Sequence, residues 1–381
     1  MAQARAERWP GEQPAERVEA QVTPERWEVV REILAEALER TPGERVVFLV
    51  QACGGDSELQ AEIESLLQVE ESAVGFLEPP DPVTAAPANA KPDLTGRLQA
   101  ALADRYTVTR QLGRGGMAAV YLVHDIGQDR PVALKVLDSE LAHSLGHERF
   151  LREIRFAARL RHPHILSILD SGVAAAKLWY TMPYAEGDSL RDRLRRESRL
   201  PIDEALRITC EVAAALDYAH QQGIVHRDIK PENILLSQDH ALVADFGIAR
   251  AIGHATDERL TGTGISIGTP AYMSPEQAVG SHEVDGRSDQ YSLSCVLFEM
   301  LAGEPPFASG LPQVIVARRM TDPPPRVSLW RPVVTPALER VVTKALAREP
   351  AERFRSADEF ARALIATTPA GLAHLTPERE R

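Results

Sequence analysis

Cysteine is scarce in this chain. Only Cys53, Cys210 and Cys295 occur in 381 residues, far apart and with no CxxC pair. That excludes a disulfide framework and a thiolate zinc site as organising features, and it fits a reducing, cytoplasmic compartment. Long apolar runs are also missing. No stretch of about 18 apolar residues exists to span a membrane, and the opening "MAQARAERWPGEQP" lacks the apolar segment of a signal peptide. The richest run, "YSLSCVLFEMLAG" at 291–303, is too short for a span and reads as a buried helix. Positive charge is in deficit: 43 Lys and Arg against 55 Asp and Glu give a net charge of −12. General affinity for nucleic acid or an anionic membrane face is therefore not expected. No internal repeat is found. What remains is a globular composition, 44% hydrophobic and 26% charged, long enough for two or three domains.

Residues 1–22 are polar and are expected to be disordered. From Pro24 a helical period begins, with Trp27, Val30, Ile33, Leu34, Ala37 and Leu38 on one face. "RVVFLVQAC" supplies a second apolar stretch. Ser57 and Gln60, spaced as a capping box, open a third helix presenting Leu59, Ile63, Leu66 and Leu67. Together they predict a small three-helix module over 23–76. "EPPDPVTAAPANAKPD", with five prolines, then reads as an extended tether. From Arg105 the pattern alternates as strands around a glycine-rich turn, and beyond residue 188 it is mainly helical. Strands first and helices second predict a two-lobed α+β domain.

Several charged residues sit where burial needs a reason. In "LGRGGMAAVY", Gly113, Gly115 and Gly116 let backbone approach phosphate oxygens, although Ala118 stands at the third position of a GxGxxG spacing. Lys135 alternates with apolar Ala133 and Leu137 on a strand, so its ammonium needs an anionic partner: a nucleotide phosphate, or a carboxylate from the next helix. Glu153, among Phe150, Leu151, Ile154 and Leu160, is the favoured carboxylate over Glu148. In "HRDIKPEN" at 226–233, Asp228 can orient the proton of an attacking hydroxyl and Lys230 offers positive charge to a moving phosphoryl group. Asn233 supplies an oxygen suited to magnesium, and Asp245 in "ALVADFG" can hold metal beside it.

In this order the motifs "LGRGGMAAV", "VALK", Glu153, "HRDIKPEN", "DFG" and "SPE" resemble the bacterial eukaryotic-type (Hanks-type) serine/threonine protein kinases, over about Tyr106 to Ala366. The resemblance implies a β-rich N-lobe and a helical C-lobe, preceded here by the small all-α module. It implies transfer of the γ-phosphate of ATP, with Mg2+ or Mn2+, to Ser/Thr hydroxyls of protein substrates. Adenine would lie between the lobes, with Met182 as gatekeeper, Pro183 and Ala185 at its edge, and Leu112, Val120, Ala133 and Leu235 as apolar walls. Glu276 would pair with Arg353, Asp289 would brace the His-Arg-Asp backbone, and His226 would pack with Phe246. Thr261 and Thr263 resemble activation-loop threonines that bacterial members phosphorylate on themselves, with Arg227 as phosphate partner. Thr269 would bond Asp228 and Lys230. Dimerisation through the smaller lobe is possible by resemblance only.

The resulting layout is a disordered N-terminus at 1–22, a helical module at 23–76, a Pro/Ala-rich linker at 77–104, a kinase domain at 105–366 and a tail at 367–381. Unlike receptor kinases of this family, the chain shows no span or sensor domain after the kinase, so input is expected through the N-terminal module, a partner or autophosphorylation. A pseudokinase and a small-metabolite kinase are the competing readings. The intact charged sites argue against the first; "DIKPEN" and the segment ending in "SPE" argue against the second.

Overall fold

The computed structural model describes scattered positions between 33 and 63, then residues 94–368 apart from 116–117, 138–146, 247–269, 282 and 309–311. The chain divides into two compact units, residues 1–87 and 88–381. In the first, Ala37, Leu49, Cys53, Leu59 and Ile63 are buried together, with Ile33 and Phe48 packed against them. Ser57, the expected cap, lies outside the described residues, and before the helical residues that include Leu59 and Ile63 the cap contacts are made by Asp56. Asp56 Oδ1 accepts the Leu59 N–H at 3.0 Å, and the Gln60 N–H reaches Asp56 O at 3.0 Å. A carboxylate at the N-cap does this as well as a hydroxyl.

The second unit begins with a helix that the tether reading did not foresee. Helix α1 (Leu94–Leu102) buries Leu98 and Leu102 against Tyr106, Tyr121, Val123, Leu134 and Trp179. Its leucines recur every fourth residue and so share one face. Gln99 fastens it further, its Oε1 accepting from Val108 N at 2.6 Å.

Five strands follow in an antiparallel sheet: β1 (Tyr106–Arg114), β2 (Ala118–Asp125), β3 (Arg130–Leu137), β4 (Asp170–Ala174) and β5 (Lys177–Pro183), in the order β1-β2-β3-β5-β4. The period of two decides what each face does. Val132, Leu134 and Val136 of β3 join the cluster under α1, while Ala133 and Leu137 turn to the opposite cluster, with Phe150 and Ile154 of helix α2 (His147–Ala157). Lys135 lies on this second face. Its cross-strand partners are Val120 on β2 and Tyr180 on β5.

The remaining chain is largely helical. Strand β6 (Asp188–Ser189) leads into α3 (Leu190–Glu197) and α4 (Ile202–Gln221); β7 (Ile234–Ser237) and β8 (His240–Val243) complete a small sheet ordered β6-β7-β8. After α5 (Pro275–Ala278) comes α6 (Gly286–Ala302), every residue of which is buried from Ser288 onward. It carries the apolar run read as a core helix, and it packs with α4 and with α9 (Ala357–Ile365), following α7 (Pro312–Thr321) and α8 (Pro336–Ala345). Among the described residues no helix is long and apolar enough to cross a membrane. A strand-rich lobe followed by a helical lobe is the α+β arrangement the pattern implied.

Candidate active site

The loop at 226–233 is held by a residue from α6. Asp289, fully buried, accepts from His226 N at 2.8 Å and from His220 Nε2 at 2.7 Å through one oxygen, and from Arg227 N at 2.7 Å through the other. Burial alone would raise this carboxyl, but the His220 bond and charge, with the donors from residue 226, hold it below the ordinary range. Arg227 takes a left-handed φ of 69° to turn both N–H groups onto it. His226 accepts from Asp228 N at Nδ1 (3.2 Å), so its Nε2–H donates to Ala244 O (2.8 Å). Its ring meets Phe246 edge-on with centroids 4.7 Å apart. The expected bracing of this backbone by Asp289 and the packing of His226 against Phe246 are thus observed.

From this base the polar groups form one connected chain. Lys230 Nζ lies 2.7 Å from Asp228 Oδ2. Asn233 Nδ2 donates to Asp228 O at 2.8 Å and to its Oδ2 at 3.1 Å. Asn233 O accepts from Ala244 N at 2.9 Å, which sets Asn233 beside the segment carrying Asp245. With Nδ2 engaged on Asp228, the atom Asn233 offers a ligand is its oxygen. Asn233 and the carboxylate of Asp245 make an all-oxygen donor set, which suits a hard divalent cation such as Mg2+.

Lys135 differs from expectation. Its ammonium is paired with Asp245 Oδ2 rather than with Glu153, whose described ion pair is to Arg152 Nη2 at 3.6 Å. The other oxygen of Asp245 accepts from Tyr180 OH at 2.5 Å. Burial would raise the Asp245 carboxyl, but the Lys135 charge and bond, together with the Tyr180 bond, keep it below the usual carboxylate value. Burial and the facing carboxylate push the Tyr180 phenol up, so it remains a donor. Asp245 itself takes a left-handed φ of 67°, a strain held where charges converge. The helix could not be read as missing Lys135 from spacing alone: which of two nearby carboxylates meets an ammonium depends on how far α2 stands from the sheet.

The apolar residues assigned to a nucleotide base gather around this polar chain. Ala133 and Met182 are buried in one cluster, and Leu112, Val120, Ala185 and Leu235 pack against it. Ala133 and Met182 are direct cross-strand partners, as are Val132 and Pro183. The cluster spans both lobes, because Ala244 is part of it. Gly113 is exposed near the end of β1, paired with Val120 of β2, and Gly115 is exposed at the turn, its N–H donating to Ala118 O at 2.9 Å. Gly116, Thr261, Thr263 and Thr269 lie outside the described residues.

Further along, Glu276 and Arg353 form the expected pair, and it is bidentate: both guanidinium–carboxylate contacts are 2.8 Å. The Arg353 side chain is fully buried and its remaining donors reach Ala347 O, Arg287 O and Arg348 O. All five guanidinium protons are therefore satisfied.

A family description, protein kinase domain, matches residues 106–363. The chain belongs to the protein kinase family. Its curated relatives are bacterial serine/threonine-protein kinases. PknJ of Mycobacterium tuberculosis is 44% identical over 274 residues, 70% of this chain and 46% of that protein. PknB of Mycobacterium leprae is 43% identical over 270 residues, 69% of this chain and 43% of the relative. PknD of Mycobacterium tuberculosis is 43% identical over 259 residues, covering 67% and 38%. The chain spans less than half the length of these curated relatives.

Within this kinase domain, sequence reasoning missed Tyr180. The signal was available: counting in twos from Met182 places Tyr180 on the cleft face, directly across from Lys135. Arg191 was missed too. It bonds Glu232, Glu299 (2.7 Å) and Tyr272, tying the 226–233 loop and the segment before α5 to the core helix. Nothing local in "SLRDRL" distinguishes this arginine from its surface neighbours.

Proposed function

We propose that this chain is a serine/threonine protein kinase that moves the γ-phosphoryl group of ATP to hydroxyls of protein substrates. The observation that carries the reading is a pair of polar groups, Lys135–Asp245 and Asn233–Asp228–Lys230, whose segments are joined by the backbone bond from Ala244 N to Asn233 O and set against an apolar cluster shared by both lobes. Phosphoryl transfer depends mainly on positioning and charge stabilisation, which a rigidly braced loop supplies.

Asp228 orients the incoming hydroxyl and takes up its proton; Lys230, already on Asp228, steadies the transferring group. Asn233 and Asp245 would hold Mg2+, or Mn2+ in its place, and that cation neutralises charge on the phosphates. Lys135 offers its ammonium to the nucleotide phosphates, with Glu153 as the carboxylate that steadies it when Asp245 is occupied with metal. Gly113, Gly115 and Gly116 cover the phosphates. Adenine fits among Leu112, Val120, Ala133, Met182 and Leu235, its edge meeting Pro183 O and Ala185 N. Thr261 and Thr263 are proposed autophosphorylation sites, with Arg227 as partner. The N-terminal unit is proposed as an interaction or autoinhibitory element, and pairing of two copies through the strand-rich lobe as a route to trans-phosphorylation.

The test is γ-labelled ATP with Mg2+, a generic protein substrate and a panel of small hydroxyl metabolites. Label in phosphoserine and phosphothreonine, mapped in part to Thr261 or Thr263 and absent with Lys135→Met, is the expected result. Label confined to metabolites, or equal labelling by Lys135→Met, would refute the reading.

A further inference from the structure

Outside the candidate active site, three elements bring two imidazoles and a carboxylate together. His164 lies on the loop between α2 and β4, Glu211 on α4, and His240 at the start of β8. One ligating atom from each lies within 4.8 Å of the other two. None of these residues takes part in the phosphotransfer site described above.

The cluster is built rather than accidental. His164 Nδ1 sits 2.9 Å from Ala241 O, so Nδ1 carries the proton and Nε2 the lone pair. A metal-bound histidine is commonly oriented in this way, its distal N–H held by a backbone carbonyl. The loop bearing His164 is stitched to β8, with Val243 N donating to His164 O at 2.9 Å and Leu166 N to Val243 O at 2.9 Å. Glu211 Oε2 accepts from Ala241 N at 2.7 Å, and its Oε1 lies 3.1 Å from His240 Nδ1. The Glu211 side chain is only 12% exposed, whereas His240 is 65% exposed and open to an entering ion. His162 stacks on Tyr218 beside His164, with the two histidine ring centroids 5.7 Å apart.

We propose that His164, Glu211 and His240 form a binding site for Zn2+ or a similar divalent transition cation. Two imidazole nitrogens and one carboxylate oxygen suit a borderline cation rather than Mg2+, and leave a fourth position for water. Arg207 Nη1 lies 3.1 and 3.2 Å from the two Glu211 oxygens. It would act as the outer partner of the carboxylate, and its charge sets an affinity below that of a thiolate site. Bound there, the ion joins α4 and the loop before β4 to β8, the strand that runs on to Asp245.

The test uses the full chain, stripped with chelator and kept in excess Mg2+ so that the cleft's oxygen donors are occupied. Zn2+ binding is followed by calorimetry and Co2+ binding by visible absorption. One equivalent is expected, with Co2+ bands of a nitrogen/oxygen site. His240→Ala, at an exposed position, should weaken binding roughly tenfold or more. His124→Ala, which removes another exposed histidine paired with a carboxylate, Asp129, should leave it unchanged. Zn2+ should raise the melting temperature of the natural chain and of His124→Ala but not of His240→Ala. Absence of saturable binding, equal affinity in His240→Ala, or equal losses in both variants would overturn the proposal.

Discussion

Asp245 shows how one residue's setting governs the site. Its carboxylate is buried, yet it is kept anionic by Lys135 on one oxygen and Tyr180 on the other. Tyr180→Phe keeps the ring and deletes one bond to a charged group, worth about 1.5–3 kcal/mol. Initial phosphotransfer rates across a Mg2+ titration should therefore fall roughly tenfold or more, with melting a few degrees lower and the native fold retained by circular dichroism. An unchanged rate would show that Tyr180 does not position Asp245. Glu276 supplies the pH-dependent case. Arg353 and Ser288 outweigh burial and hold its carboxyl below the ordinary value. As pH falls, the unfolded chain takes the proton first, so this stabilisation is complete above the ordinary carboxylate range, about pH 4, and is lost as pH drops through the lower folded value. Melting temperature measured from neutral pH downward should thus drop on the acid side, and Glu276→Gln should lower the neutral-pH value and shrink that drop. The Glu276–Arg353 pair was legible because both residues stand in motifs; the Lys135–Asp245 pair was not, because it depends on the standing of a helix and not on spacing.

Among the elements, strands were the most readable. Ala133, Lys135 and Leu137 fall on one face of β3 because side chains alternate, and no tertiary effect displaces them. Helix α1 was hidden by the prolines before it, which made 77–104 look uniformly extended. Its leucines bury into the sheet's outer cluster, so Leu98→Ala should cost about 2–5 kcal/mol by urea denaturation. A chain beginning at residue 88 should unfold cooperatively near the native midpoint, while one beginning at 105 should unfold at markedly lower urea. Equal midpoints would mean that α1 contributes nothing. Gly187 is a second element-scale constraint that "AEGDSL" does not disclose. Its φ is 142°, and a Cβ there would lie 1.9 Å from Leu236 O, so the turn into β6 admits no side chain without moving the hairpin that carries Asn233.

Across the whole molecule, the division at residue 87 separates a first compact unit from the unit that holds the kinase domain. Within an acidic chain, the loop at 226–233 is charge-balanced, Arg227 and Lys230 matching Asp228 and Glu232 in number. Removing residues 1–87 should change autophosphorylation rate or oligomeric state if the first unit regulates the second; identical rates and identical sedimentation would end that role. The central claim is that Lys135, Asp228, Lys230, Asn233 and Asp245 together carry the transfer, with Asp228 positioning the hydroxyl. Its most direct measurement is labelled phosphate moved from ATP to protein by the natural chain and by Asp228→Asn at matched fold and nucleotide affinity. The account predicts a loss of roughly two orders of magnitude or more in Asp228→Asn with ATP binding retained; equal labelling by the two proteins would contradict it.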